Sequence, residues 1–132
     1  MTEAVALELT SAITGRDPKC LAAAIKNLAD EGKQLIKAED WSALAELTTS
    51  ADTALQNARS KGELAAGNLT LLADMAQQML AVFSFAAQSN GDPQTGYFRA
   101  ALTHARRLDT MTGGQFRLEA IVNQIKTAHQ SD

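Results

Sequence analysis

Residues 64–87, LAAGNLTLLADMAQQMLAVFSFAA, contain almost no side chain that is not apolar, small or an uncharged amide. Wound as an α-helix, the stretch carries two apolar faces. Leu72, Met75, Met79, Val82, Phe83 and Ala86 form one, and Leu69, Ala73, Ala76, Leu80 and Ala87 form the other. A helix that is apolar on two faces has to be covered on both, so the segment predicts a buried spine with other helices packed around it. Its length also raises the question of a membrane span. Asp74, Gln77 and Gln78 sit mid-segment, where each polar group is costly in lipid, and the reading is a protein in water.

The remainder of the chain supplies the cover. Its 132 residues fit one domain, 1–132, with one core. Alanine, leucine, glutamine and lysine dominate, only two prolines occur, and no run alternates with a period of two, so helix is favoured over strand. Before the spine, residues 3–13 align Val5, Leu9, Ala12 and Ile13 and stop near Gly15. Asp17 followed by Pro18 starts the next helix, since Asp caps free backbone donors and proline has none to lose. Leu21, Ala24, Ile25, Leu28, Leu35 and Ile36 trace its face. Gly32 weakens this helix by about 1 kcal/mol relative to alanine, yet the stripe keeps its phase across it, which points to close approach of another helix. Glu39 and Asp40 form a very short turn into a third segment carrying Trp41, Leu44, Thr48, Ala51, Leu55 and Ala58.

After a break at Ser60, Lys61 and Gly62 comes the spine, and after a turn at Asn90, Gly91, Asp92 and Pro93 the spacing resumes through Tyr97, Phe98, Ala101, Ala105, Leu108 and Met111. Residues 115–129 form the last segment, and the tail 130–132 should fray. The expected fold is all-α, a single-domain antiparallel bundle of about five helices, with tetratricopeptide-like hairpin packing as one form of it.

Composition narrows the function classes. A net charge of −3 argues against general nucleic-acid binding, which draws its affinity from a concentrated basic surface. The single cysteine, Cys20, has no internal disulfide partner and fits a reducing compartment. The N-terminal MTEAVALELTSAITGRD has no basic leader, so the expectation is a cytoplasmic protein. Cys20 lies in the first turn after Asp17 and Pro18, where a helix N-terminus would favour its thiolate; its other reading is a small packing residue. The two histidines, His104 and His129, lie in no nucleophile motif, and neither TGRDPKC nor RSKGEL has phosphate-loop spacing. Neither a Glu-x-x-His nor a His-x-x-x-His pair occurs. The expectations are no metal, no cofactor and no enzymatic activity.

Three resemblances are visible. Leu28, Gly32, Leu35, Trp41 and Ala51 are spaced similarly to one tetratricopeptide repeat, which would imply two interlocked antiparallel helices. The pattern departs at Glu39, where the repeat has a turn glycine, at Leu44, and in lacking both a closing proline and a second copy. The segment LIKAEDWSALAEL also resembles the helical hairpins of small bacterial export chaperones, including flagellar ones. In LTHARRLDTMTGGQF, His104 with Arg107 three positions on and Gly114 ten positions on resembles histidine phosphotransfer domains, which would imply a phosphocarrier. Leu108 stands where that family has a small residue, and only one helix remains downstream. None of these amounts to membership of a family.

The surface carries the functional expectation. Arg99, Arg106 and Arg107 cluster around His104, the i, i+7 spacing placing Arg99 and Arg106 on one face. Trp41 and Tyr97 stand at helix starts beside turns, where a flat ring is available for binding. Met75 and Met79, with Phe83, would line an adaptable apolar groove if the spine were left partly bare. These nine residues are the candidate partner-binding set of a protein-interaction module, an adaptor or chaperone-like protein of bacterial type. Its partner is another protein or a second copy in a homodimer. The alternatives are a small-ligand-binding regulatory bundle and, third, a phosphocarrier using His104.

Overall fold

The protein is an all-α helical bundle in the computed structural model, which describes residues 2–65, 67–89 and 95–130. Six helices are present among the described residues: α1 (Thr2–Thr14), α2 (Pro18–Lys37), α3 (Trp41–Ser60), α4 (Gly67–Ser89), α5 (Thr95–Thr112) and α6 (Leu118–Gln130). That is one more than the expected five or so, and each of the six corresponds to a segment of helical spacing in the sequence. Leu9, Ala12 and Ile13 are buried, and this packing sustains a helix too short to persist alone. The expected turn at Asn90, Gly91, Asp92 and Pro93, the tail at 131–132 and the side chain of His129 lie outside what is described.

The helix ends follow from local chemistry. The Asp17 carboxylate accepts from the Lys19 N–H at 3.0 Å, and Pro18 takes the first helical position. At the end of α2 the Glu39 N–H donates to the Ile36 carbonyl at 3.0 Å and the Asp40 N–H to the Leu35 carbonyl at 2.9 Å. Asp40 then caps α3 with its side chain, which accepts from the Ala43 N–H at 3.3 Å. Glu39 adopts φ 57°, so the turn has the left-handed backbone that glycine favours although glycine is absent. Gly62, at φ 72°, closes α3 in the same way.

Sequence spacing starts the last helix too early, at residue 115. Arg117 has φ 52° and cannot cap; the Asp109 carboxylate of α5 does so instead, accepting from the N–H groups of Leu118 at 3.1 Å and Glu119 at 3.0 Å. The spine also begins later than its apolar run. Leu64 is buried in the turn before α4, and its carbonyl accepts from Thr70 Oγ1.

Packing explains the two apolar faces of α4. On one side, α1, α2, α4 and α3 close a ring in which α1 and α4 each touch both α2 and α3. On the other, α5 and α6 pack on α4 and on each other. Leu69, Ala73, Ala76, Met79, Val82, Phe83 and Ala86 are buried as a result, in one core to which all six helices contribute. Phe85 of α4 meets Phe98 of α5 edge to face at 6.5 Å, and Lys126 of α6 lies 4.6 Å above the Phe98 ring. Residues 67–88 have the length and composition of a membrane span, and more than half of the most apolar window is buried among the other helices. The α2–α3 hairpin is not the main contact of either helix, since both pack more extensively elsewhere. This gives no support to tetratricopeptide-like interlocking.

Gly32 marks a close helix approach, as its unbroken stripe predicts. A Cβ placed there would fall 2.2 Å from Cε2 and 2.4 Å from Cζ of Phe83, whose ring is fully buried. Gly32→Ala gains about 1 kcal/mol of helix propensity, but it drives a methyl group into the ring, and overpacking of this kind costs typically about 1–3 kcal/mol. We expect a net loss of roughly 1 kcal/mol in urea denaturation. Adding Phe83→Leu should cost less in the Gly32→Ala background than in the parent. Additive effects would mean that the two positions do not touch.

Candidate functional site

One stripe of α4 is left uncovered between its two packed sides. It runs through Leu71, Asp74, Gln77 and Gln78, Ala81 and Ser84, residues three or four apart on one side of the helix. Leu71 is 50% exposed, while Gln77, Gln78, Ala81 and Ser84 are half-buried because α3 and α5 rise on either flank. A concavity of about 340 Å³ lies between α3 and α4, lined by Thr49, Asp52 and Thr53 across from Gln77, Ala81 and Ser84. A second, of about 260 Å³, lies between α4 and α5 and is lined by Asp74, Gln77, Gln78, His104 and Arg107. Gln77 belongs to both, so they meet along the stripe.

Hydrogen bonding in this groove is incomplete. Arg59 of α3 donates to Asp74 Oδ1 at 2.7 Å and to Gln77 Oε1 at 3.0 Å, tying down the start of the stripe. Gln78 Nε2 donates to the Met111 sulfur at 3.9 Å. Gln78 Oε1 and His104 Nδ1 are buried with no hydrogen-bond partner. A buried polar atom left unpaired costs about 1–3 kcal/mol, so these two, beneath residues that border one concavity, are a standing cost to the fold. No hydroxyl or thiol lines the His104 side of the groove, so no nucleophile stands beside the imidazole there.

The structure divides the sequence-derived set. His104 and Arg107 come together in the groove, and Met75 lies half-buried against the core one turn from Leu71. Met79 and Phe83 do not line a groove. Both are fully buried, Met79 because its face of α4 is covered and Phe83 because its ring sits against Gly32. Trp41 is half-buried against the core at the start of α3. Tyr97 is 56% exposed at the opposite end of α5 from Arg107. Arg99 is exposed, but the basic stripe drawn from it to Arg106 is neutralised at one end, where Arg106 Nε meets Glu119 Oε1 of α6 at 2.9 Å.

Arg59, Asp74, Gln77, Gln78 and Ser84 were not in that set. Their signal was present: Asp74, Gln77, Gln78 and Ser84 are the polar interruptions of the spine and recur at helical spacing. They mark its open side. Among the described residues no group of three or more His, Cys, Asp or Glu is placed to hold a metal ion.

Cys20 departs from the thiolate reading. It is exposed, and its Sγ donates to Asp17 Oδ2 at 3.4 Å. This hydrogen bond and the charge of the carboxylate push the thiol above its ordinary range, against any help from the helix N-terminus.

No protein-family model matches the chain, and no curated protein or solved structure matches it significantly.

Two outcomes follow from this geometry. Gln78→Leu removes a buried, unpaired amide oxygen together with a weak bond from Nε2 to sulfur, and it should raise stability by roughly 1 kcal/mol in denaturant unfolding; a clear loss would show that the oxygen is satisfied. Asp17→Asn keeps a good helix cap and removes the charge beside Cys20. The pH midpoint of iodoacetamide alkylation should therefore move down, with faster reaction at neutral pH; an unmoved midpoint would remove Asp17 from control of the thiol.

Proposed function

We propose that the protein is an interaction module that receives a segment of a partner protein along the open stripe of α4, between α3 and α5. The observation that carries this reading is the open polar groove itself, which two concavities sharing Gln77 form along α4 between α3 and α5. An extended segment presents one N–H and one C=O per residue, which suits a groove bordered by the polar side chains of Gln77, Gln78, Thr49 and Thr53. An amphipathic helix docking through an apolar face fits less well, because the stripe is mostly polar and Met79 and Phe83 are spent on the core.

A small-ligand regulator is the second reading. Ligand pockets are concave and mostly apolar, enclosing most of what they bind. Both concavities here open to solvent and are lined mainly by polar side chains, which favours a segment over an enclosed molecule. A phosphocarrier using His104 is the third reading, and the burial of Nδ1 leaves only the other ring nitrogen for it. The proposed location is the cytoplasm, a reading that rests on the sequence's single cysteine.

Ala81 sits half-buried on the groove floor, where a long side chain can reach solvent while obstructing the path. Ala81→Arg should leave the circular dichroism spectrum and melting cooperativity unchanged. In affinity capture from the native extract it should lose any partner that the parent chain enriches. A partner retained equally by both chains would move the interface away from α4.

A further inference from the structure

The α5 side of the groove carries an unbalanced positive charge. Arg107 has no ion pair or hydrogen bond among the described residues. Three carboxylates on α4, α5 and α6 are engaged elsewhere: Asp74 holds Arg59, Glu119 holds Arg106, and both oxygens of Asp109 cap α6. Asp74 of the lining is paired with Arg59 from outside it, which leaves Arg107 as the charged lining group without a partner. Across the stripe, the α3 side carries Asp52. The groove is therefore polarised across its width, basic towards α5 and acidic towards α3.

Resting on the reading of the groove as a segment-binding site, we infer that the partner segment is acidic where it crosses α5. One of its Asp or Glu carboxylates pairs with exposed Arg107, and the adjoining backbone runs over the concavity that Gln78 and His104 border. Guanidinium and carboxylate match in a planar, two-pronged fit, and such charge-assisted bonds are about twice as strong as neutral ones. Asp52 repels the same carboxylate from the α3 side, so the polarity of the groove also selects the side on which the acid lies.

Two blocked hexapeptides, one alternating serine with glutamate and the other serine with glutamine, separate this inference from the reading beneath it. Titrated into the full chain and followed by amide and side-chain NMR, the glutamate peptide should give saturable shifts at Gln78, His104 and Arg107. It should bind roughly tenfold or more tightly than the glutamine peptide. Arg107→Gln, a surface change, should abolish that preference, while Arg99→Gln should preserve it. Equal binding of both peptides at the groove would overturn the acidic preference and leave the groove standing. Saturable shifts confined to other surfaces, or none with either peptide, would count against the groove itself. Inorganic phosphate shifting the same resonances more tightly than the glutamate peptide would overturn the carboxylate in favour of a phosphate-bearing ligand.

Discussion

The contact of the Phe83 ring with the bare backbone of Gly32 sets how close α2 and α4 come, and the arrangement of the other helices depends on that distance. Without a Cβ at residue 32, the largest fully buried side chain of the protein has a flat surface to lie on, and the two helices can close around it. Alanine at Ala24, Ala29, Ala76 and Ala86 serves the same end by keeping the facing surfaces thin. Because α2 is drawn in at this side, α1 can reach α3 and complete the ring. Very few aromatic residues are then needed, since short interhelical distances replace large side chains in filling the interior.

Sharing α4 between the ring and the α5–α6 pair has a geometric consequence. A helix presents a full circle of side chains, and two packed sides leave a strip between them. On α4 that strip holds Asp74, Gln77, Gln78 and Ser84, the residues least suited to a dry interior. A spine optimised for stability alone would have no reason to half-bury an amide and leave its oxygen unpaired. Gln78 and His104 each carry such a local cost on the open side of α4.

Much of this fold was legible in the sequence, and the parts that were not have a common cause. Asp17 with Pro18, Asp40 and Gly62 mark helix ends through interactions reaching only a few residues along the chain, and the structure places those ends as the spacing implies. Both faces of α4 and the close approach at Gly32 were also visible, because periodicity reports which side chains are buried. What periodicity does not report is by what. Met79 and Phe83 lie on a face that could have been bare or covered, and only the position of α2 decides it. The Arg99–Arg106 stripe likewise looks basic until α6 brings Glu119 to Arg106, and the start of α6 is invisible locally because its cap, Asp109, comes from another helix.

Asp109 also shows why the groove keeps its polarity. The turn between α5 and α6 places Arg117 at the start of α6 in a left-handed conformation, leaving the first N–H groups of that helix without a local acceptor. Asp109 answers this with both oxygens, which orients α6 against the end of α5 and in doing so removes the carboxylate nearest Arg107 along the chain. Glu119, the second residue of α6, is thereby positioned to pair with Arg106. The two adjacent arginines thus receive opposite fates from a single capping interaction: Arg106 is neutralised on the α6 side, and Arg107, a helical step further round, is left charged beside α4. The electrostatic character of the groove is in this sense a by-product of how the last helix is started, and a change at the α5–α6 turn would be felt at the groove without touching its lining.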